Sequence, residues 1–283
     1  MKPIIELSNV AQRFGNKKVL DHITLQINKG EIFGLLGPSG AGKTTLIKIL
    51  TGQLKQTEGN ATLLGKDTST FSGKDYEHIG IMMDNFGLYE RLSCYDNLRF
   101  FAEIYGVPKS KITEVLADVG LTNAAKTIVS NLSKGMRSRL LLARVLMRAP
   151  DILFLDEPTS GLDPATTQEI HKLIYRQQQK GVTIFLTTHN MSEAEKLCDH
   201  IALLNEGNII EYGTPKEICR RYNHQKKLLI HLTDGTDVEL PHEKASGEII
   251  MQYFTTESLE TIRSTEPNLE TVFIELTGRS FEA

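Results

Sequence analysis

The segment Gly37–Thr44, with the sequence GPSGAGKT, fits the pattern G-x-x-x-x-G-K-[ST]. The mostly apolar run Glu31–Leu36 precedes it, and apolar residues recur at helical spacing from Leu46 to Leu50 after it. A strand, a glycine-rich turn and a helix in this order can hold an anion, because the free amides at the start of the helix face the turn. The sequence therefore predicts a phosphate-binding loop at the end of a strand in an α/β fold.

Each residue type in this loop has a chemical reason. Glycines let backbone N–H groups surround phosphate oxygens without a clash from Cβ. Lys43 can reach the β- and γ-phosphates of a nucleotide, and the hydroxyl of Thr44 can ligate Mg²⁺. The candidate nucleotide-binding residues of the loop are Gly37, Pro38, Ser39, Gly40, Ala41, Gly42, Lys43, Thr44 and Thr45.

Two adjacent carboxylates, Asp156 and Glu157, directly follow the apolar run Ile152–Leu155. A strand that ends in an acidic residue beside a phosphate site places that residue near the metal ion that accompanies the phosphates. We predict that Asp156 helps to bind Mg²⁺. Glu157 is expected to orient or deprotonate the water that attacks the phosphate.

Short apolar runs alternate with helical patterns over the first two thirds of the chain. Ile152–Leu155 and Val182–Leu186 are two such runs, each bounded by polar residues or glycine. Runs of this length between helical segments are typical of buried strands in a largely parallel sheet. Residues 88–132 have helical apolar spacing after a capping box at Ser93 and Asp96, which predicts a helical insert in the α/β body.

The pattern changes towards the end of the chain. Thr214–Glu217 is typical of the start of a short helix with proline in its first turn. Further on, two apolar runs flank Asp234-Gly235, which predicts a β-hairpin. The sequence therefore predicts a first domain over residues 1–223 and a small α/β appendix over residues 224–283.

The composition is that of an ordinary globular protein, with 40% hydrophobic and 24% charged residues over 283 residues. The formal net charge of −3 argues against a nucleic-acid partner held by bulk electrostatics. No apolar run approaches the roughly 20 residues that a membrane-spanning helix needs. Three scattered cysteines, Cys94, Cys198 and Cys219, have no metal-binding spacing and are expected to stay reduced in the cytosol.

Further motifs surround the acidic pair. Asp156-Glu157 continues as Pro158–Asp163 (PTSGLD), Leu132–Met136 (LSKGM) opens a helical segment upstream, and His189 follows a strand-like run downstream. Over residues 4–215 this order of motifs resembles the ATP-binding subunit of an ABC transporter. The resemblance implies a RecA-like P-loop ATPase core with an antiparallel β subdomain and a helical subdomain. It also implies that two such domains pair head to tail around two ATP molecules.

The resemblance implies roles for single residues. Ser133 and Gly135 would contact the γ-phosphate of ATP held on the partner subunit, since a helix start offers free N–H groups to an anion. His189 would bind the γ-phosphate and help to hold the attacking water. Asp163 would connect the paired sites, and Phe14 would stack on adenine through its π face.

The chain departs from the family pattern at several positions. The family usually has glutamine at the position of Asp84, where it senses Mg²⁺ and links the site to the helical subdomain. Aspartate offers an oxygen to Mg²⁺ but has a shorter reach and a negative charge. We predict that Asp84, or Asn85 through a local shift, takes this metal-binding role. Lys134 and Met136 replace the third and fifth residues of the family's LSGGQ motif.

The LSKGM variant and the ending Pro267–Gly278 resemble the branch of the family that exports antibiotics and drugs. This implies an ATPase on the cytoplasmic face of the membrane, paired with an integral membrane permease and with an identical or a different ATPase subunit. The cargo would be an antibiotic, drug, peptide or lipid-like compound. Two alternatives stay open: the ATPase subunit of an importer, and a soluble ATP-driven clamp that acts on nucleic acid or ribosomes.

Overall fold

The computed structural model describes residues 3–83, 87–224 and 226–278. These residues form two compact units, the first up to Thr214 and the second from Pro215. The strands are β1 (Ile5–Phe14), β2 (Lys17–Ile27), β3 (Ile32–Leu36), β4 (Glu58–Leu63), β5 (Lys66–Asp67), β6 (Ile79–Met82), β7 (Ile152–Asp156), β8 (Thr183–Thr188), β9 (His200–Asn205), β10 (Asn208–Gly213), β11 (Lys227–Leu232), β12 (Asp237–Pro241) and β13 (Leu259–Ser264). The α-helices are α1 (Lys43–Leu50), α2 (Cys94–Tyr105), α3 (Ser110–Asp118), α4 (Lys134–Leu146), α5 (Pro164–Gln179), α6 (Met191–Leu197), α7 (Pro215–Arg221), α8 (Ser246–Thr255) and α9 (Leu269–Thr277). Short 3₁₀ turns lie at Thr68–Thr70, Asp75–Glu77, Thr122–Ala124 and Val129–Asn131.

A six-stranded sheet forms the centre of the first unit, in the order β10-β9-β3-β8-β7-β6. All neighbouring strands are parallel except β10, which is antiparallel to β9. Every residue of β3, β7 and β8 is buried, which confirms the predicted largely parallel sheet of buried strands. Because parallel strands end at the same edge, the carboxyl ends of β3, β8 and β7 lie side by side.

A second, antiparallel sheet has the order β2-β1-β4-β5, and it matches the antiparallel subdomain implied by the resemblance. One buried apolar cluster joins this sheet, α1 and the central sheet. It includes Leu20 of β2, Leu46 and Ile47 of α1, and Phe33 and Phe154 of the central sheet. Burying each such side chain stabilises the fold by about 1.5–3 kcal/mol. The cluster therefore fixes α1, and the loop before it, between the two sheets.

Helices α2, α3 and α4 pack on one another. Helix α2 begins at the predicted capping box: the Asp96 N–H donates to Ser93 Oγ at 3.1 Å, and the Ser93 hydroxyl donates to Asp96 Oδ2 at 2.6 Å. It ends at Gly106, whose φ of 66° is in the left-handed region that favours glycine. Helix α4 also contacts β6 of the central sheet, so it joins α2 and α3 to that sheet.

The second unit contains a three-stranded antiparallel sheet in the order β12-β11-β13, with helices α7, α8 and α9. The Leu232 carbonyl accepts from the N–H of Gly235 at 2.9 Å, and φ of Gly235 is 85°, as the predicted hairpin requires. Helix α7 packs on α9, so the division between the units falls at Thr214, before the boundary predicted at residue 223. Within the described residues, no helix combines the length and the apolar character needed to cross a membrane.

Candidate functional site

The loop Gly37–Gly42 leaves β3 at its carboxyl end and leads directly into α1, so the strand and helix predicted around it are both present. Gly42 has φ of 114°, and a Cβ there would lie 2.8 Å from Leu20 Cδ2. At Gly37 a Cβ would lie 2.3 Å from the Leu204 carbonyl oxygen. The loop therefore packs so closely on β2 and β9 that both positions require glycine.

The turn between β9 and β10 connects this loop to β2. The Gly207 N–H donates to the Ala41 carbonyl at 3.2 Å, and the Gly207 carbonyl accepts from the Asp21 N–H at 2.8 Å. A Cβ at Gly207 would lie 2.6 Å from the Val19 carbonyl oxygen. One glycine thus links the loop to the antiparallel sheet through two backbone hydrogen bonds.

Lys43 is the first residue of α1, and its side chain is buried. Its Nζ donates to the carbonyl oxygens of Gly37 at 2.6 Å and Pro38 at 3.2 Å, and it lies 3.6 Å from Glu157 Oε1. The ammonium is therefore held inside the loop by oxygens that phosphate oxygens can replace. Because the site is shielded from water, the charge attracts an anion more strongly than an exposed lysine does. Thr45 follows in the first turn of the same helix.

The two predicted metal ligands Thr44 and Asp156 are in direct contact. The Thr44 hydroxyl donates to Asp156 Oδ2 at 3.1 Å, and the Thr187 hydroxyl donates to Asp156 Oδ1. Hydroxyl and carboxylate oxygens are the ligands that Mg²⁺ prefers, usually with several retained waters, so this pair fits the ion. The third predicted ligand, Asp84, lies outside the described residues, as does its neighbour Asn85.

Glu157 and His189 form a pair beside Lys43. His189 Nδ1 lies 2.8 Å from Glu157 Oε2, while Glu157 Oε1 faces Lys43. Glu157 has φ of 50°, a conformation that costs about 1–2 kcal/mol outside glycine. Its N–H donates to the Thr187 carbonyl at 3.1 Å, which helps to hold this conformation. The pair lines a cavity of about 310 Å³ together with Ser39 and other residues, so there is room for a phosphate and a water.

Ser133, Gly135 and Asp163 form a second group, around Thr166 at the start of α5. Ser133 caps α4 by accepting from the Met136 N–H at 3.2 Å. Asp163 caps α5: it accepts from the Thr166 hydroxyl at 2.6 Å and from the Thr166 N–H at 3.0 Å. These two hydrogen bonds, chiefly the one from the hydroxyl, lower the pKa of Asp163. A Cβ at Gly135 would lie 2.3 Å from Thr166 Cγ2, so the starts of α4 and α5 are in direct contact.

We expect the substitution Gly135→Ala to lower the free energy of unfolding by about 1–3 kcal/mol, because the new methyl group overlaps with Thr166 Cγ2. The double variant Gly135→Ala, Thr166→Ser lacks that Cγ2 but keeps the hydroxyl that bonds Asp163, so it should regain most of the lost Tm. Gly247→Ala is the matched control, since no atom lies within 4 Å of a Cβ there. Thermal unfolding measures all three variants. An unchanged Tm for Gly135→Ala would contradict the close contact.

Phe14 ends β1, opposite Lys17 of β2, and the residue is 51% exposed. The same hairpin reaches the glycine-rich loop at Leu20. The ring is therefore accessible for stacking and belongs to an element that touches the loop. Sequence reasoning missed Thr187, which contacts both Asp156 and Glu157. The signal was the pair of polar residues, Thr187 and Thr188, that follows the apolar stretch Ile184–Leu186.

A parallel sheet with a glycine-rich loop after β3 and an acidic residue at the end of β7 defines a P-loop nucleoside triphosphatase. The family model described as ABC transporter matches residues 20–160. The fluoroquinolones export ATP-binding protein of Mycobacterium tuberculosis is 40% identical over 257 residues, which cover 89% of this chain and 85% of that protein. The chain belongs to the ABC transporter family.

Two further comparisons each cover most of the chain. The bacitracin transport ATP-binding protein of Bacillus licheniformis is 32% identical over 302 residues, which span 98% of both chains. A solved dimeric ATP-binding cassette, in a post-hydrolysis state with ADP and Pi, matches 74% of this chain and 98% of its own, with a TM-score of 0.66 and 25% identity. The predicted fold class and the predicted function of an ATP-hydrolysing ABC transporter subunit are thereby confirmed.

Proposed function

We propose that this chain pairs with a second ATPase subunit, identical or different, and drives an integral membrane permease that exports an antibiotic, drug, peptide or lipid-like compound. The observation that carries the proposal is the Glu157 carboxylate, which lies between the Lys43 ammonium and the His189 imidazole and lines one cavity with His189. A carboxylate in this position is suited to orient and deprotonate a water that attacks the γ-phosphate. The names of the two relatives, which mention fluoroquinolones and bacitracin, favour a cargo of the antibiotic class.

The phosphates of ATP bind in the loop Gly37–Gly42. In the complex, Lys43 exchanges its carbonyl partners for oxygens of the β- and γ-phosphates, and the first N–H groups of α1 bind the same anion. Thr44 and Asp156 would hold Mg²⁺, which when bound would supply positive charge opposite the phosphates. Glu157 then accepts a proton from the attacking water, while the second ring nitrogen of His189 is available to the γ-phosphate.

The second group of residues acts across the dimer. Ser133 and Gly135 open α4, whose first N–H groups have no partner inside the helix and suit the γ-phosphate on the other subunit. Asp163 lies at the contact of α4 with α5 and would connect the two sites. ATP binds the closed pair more tightly than the open one, so binding closes the dimer and hydrolysis lets it reopen. The subunit would work on the cytoplasmic face of the membrane, held there by its permease.

Co-purification tests this proposal. The chain is expressed together with a candidate permease and is isolated from detergent-solubilised membranes. We expect the two proteins to co-purify, with Mg²⁺-dependent ATP hydrolysis and export of a labelled antibiotic from cells. Recovery of the chain with ribosomes or nucleic acid would favour the soluble clamp instead, and accumulation of the cargo inside cells would favour an importer.

We expect Phe14→Ala to weaken ATP binding about 10-fold, because stacking of a base on an aromatic ring contributes about 1–3 kcal/mol. Phe14→Tyr keeps the π face and is the matched control, with affinity close to that of the parent. A titration with a fluorescent ATP analogue measures both variants. If Phe14→Ala binds as tightly as Phe14→Tyr, adenine does not stack on this residue.

A further inference from the structure

Glu193 carries a buried carboxylate next to the segments that hold Glu157 and His189. The residue lies in α6 and is 3% exposed. Removing an ionised carboxylate from water costs several kcal/mol unless charge-assisted hydrogen bonds replace the water. A carboxylate in this position therefore needs hydrogen-bond donors. The residues that donate to it show which parts of the fold it connects.

Three side chains donate to this carboxylate. The Thr159 hydroxyl and His171 Nε2 reach Oε1 at 2.7 and 2.8 Å, and the Thr188 hydroxyl reaches Oε2 at 2.7 Å. Burial alone would raise the pKa of Glu193, but the hydrogen bonds from His171, Thr159 and Thr188 outweigh it and lower the pKa. The group is thus ionised at neutral pH, with both oxygens engaged.

Two of these donors belong to the segments that carry the proposed hydrolytic pair. Thr159 follows Glu157 by two residues, and Thr188 directly precedes His189. Each carboxylate oxygen of Glu193 therefore holds one segment. His171 comes from α5 and shares Oε1 with Thr159, so the carboxylate also bonds a third element of the fold.

The segment around His189 is also held by hydrogen bonds on the C-terminal side of His189. The Asn190 N–H donates to the Thr188 hydroxyl oxygen at 3.0 Å, and the Asn190 side chain accepts from the Glu193 N–H at 3.1 Å. His189 thus stands between two residues that both bond to Glu193, directly or through its backbone. Displacement of the Glu193 carboxylate would loosen both sides of His189 and the residues that follow Glu157.

We propose that Glu193, held by His171, is a positioning residue for ATP hydrolysis, which sets the geometry between Glu157 and His189 without contacting the nucleotide. The proposal rests on the proposed roles of Glu157 and His189. Among the described residues, the side-chain donors to this carboxylate are those three, and Lys43 bonds instead to carbonyl oxygens of the glycine-rich loop. A defect at Glu193 should therefore affect turnover and leave nucleotide binding intact.

The test uses the purified full chain with Mg²⁺ and ATP. Glu193→Gln keeps the shape of the side chain, but its amide nitrogen cannot accept a hydrogen bond. The hydrogen bonds that reach one of the two carboxylate oxygens must therefore break. We expect kcat to fall on the order of 10-fold, as for other groups that orient a reacting residue, with KM and the Kd of a fluorescent ATP analogue unchanged. Glu195→Gln, on the exposed side of the same helix, is the control and should keep the kcat of the parent.

A second pair of variants keeps the test decisive if Glu193→Gln folds poorly. His171→Leu removes the donor and should lower kcat without changing KM. His171→Gln places an amide nitrogen near the position of Nε2 and should restore most of the kcat. A merely structural role predicts losses of Tm and of nucleotide affinity together, with no such rescue.

The outcomes separate this inference from the proposed function. If the parent chain hydrolyses ATP and both Glu193→Gln and His171→Leu match its kcat, the positioning role is wrong. A parallel fall of kcat and nucleotide affinity in these variants overturns it as well. If the parent hydrolyses no ATP even with its permease, the proposed function itself has failed.

Discussion

Replacement of Glu157 by glutamine is expected to lower ATP turnover by about 100-fold or more, because the amide cannot take a proton from the attacking water. The amide keeps the size of the side chain, and the glycine-rich loop and Lys43 stay in place, so ATP still binds. The variant should therefore accumulate as an ATP-bound dimer. Phosphate release measures turnover, and size-exclusion chromatography with and without ATP measures the dimer.

The control for this variant is Glu169→Gln on α5. Glu169 is exposed, and its ion pair with Arg139 at 3.5 Å is a surface contact that contributes little. This substitution should leave turnover and oligomeric state unchanged. The assignment of Glu157 is wrong if Glu157→Gln hydrolyses ATP as fast as Glu169→Gln.

The substitution Lys43→Ala should weaken ATP binding by about 100-fold or more, because truncation of a buried charge that pairs with an anion costs about 2–5 kcal/mol. The carbonyl oxygens of Gly37 and Pro38 lose their donor in the free protein, so the loop also becomes less ordered. Titration with a fluorescent ATP analogue measures the affinity directly, without the need for turnover.

Lys48→Ala is the matched control, since Lys48 lies on the exposed side of the same helix. We expect it to bind ATP like the parent chain. Equal affinities for Lys43→Ala and Lys48→Ala would show that the phosphates bind elsewhere. The two large effects are also distinct from each other, because loss of Lys43 removes binding whereas loss of Glu157 removes turnover after binding.

The sequence predicted the parts of the site that depend on local pattern. A glycine-rich turn between a buried strand and a helix is typical of a phosphate-binding loop, so Gly37–Thr44 was predicted to be one from its residue spacing alone. Asp156 and Glu157 followed because a strand that ends in an acid beside that loop has its carboxylate at the shared edge of the sheet. The roles given to Ser133, Gly135 and Asp163 came from resemblance, and they stay predictions.

The contacts behind the site could not be predicted in this way. Thr187 bonds Asp156, and Thr188 bonds Glu193, only because β8 packs beside β7 and α6. A threonine or glutamate in sequence carries no mark of such a partner. His171 is more distant still, on the helix before β8. Networks of this kind depend on tertiary packing, so they are seen only in the folded chain.

The second unit also contains an element that the sequence alone did not predict. Strand β13 has the sequence LETIRS and is exposed along most of its length. An exposed strand needs no regular alternation of apolar and polar residues, so its sequence shows no clear strand pattern. It forms because it pairs with the other side of β11, from Leu228 opposite Ser264 to Leu232 opposite Leu259. Pairing of this kind is a long-range effect that outweighs local preference.

The two backbone hydrogen bonds of Gly207 have a consequence for affinity. Because they anchor the glycine-rich loop to β2 in the free protein, we expect the loop to keep its shape when a nucleotide binds and to lose little chain entropy. Because of this preorganisation, the affinity for ATP depends on the turn between β9 and β10, which is far along the chain from the glycine-rich loop. An insertion in that turn would therefore lower the affinity for ATP, although every group that faces the phosphates would still be present.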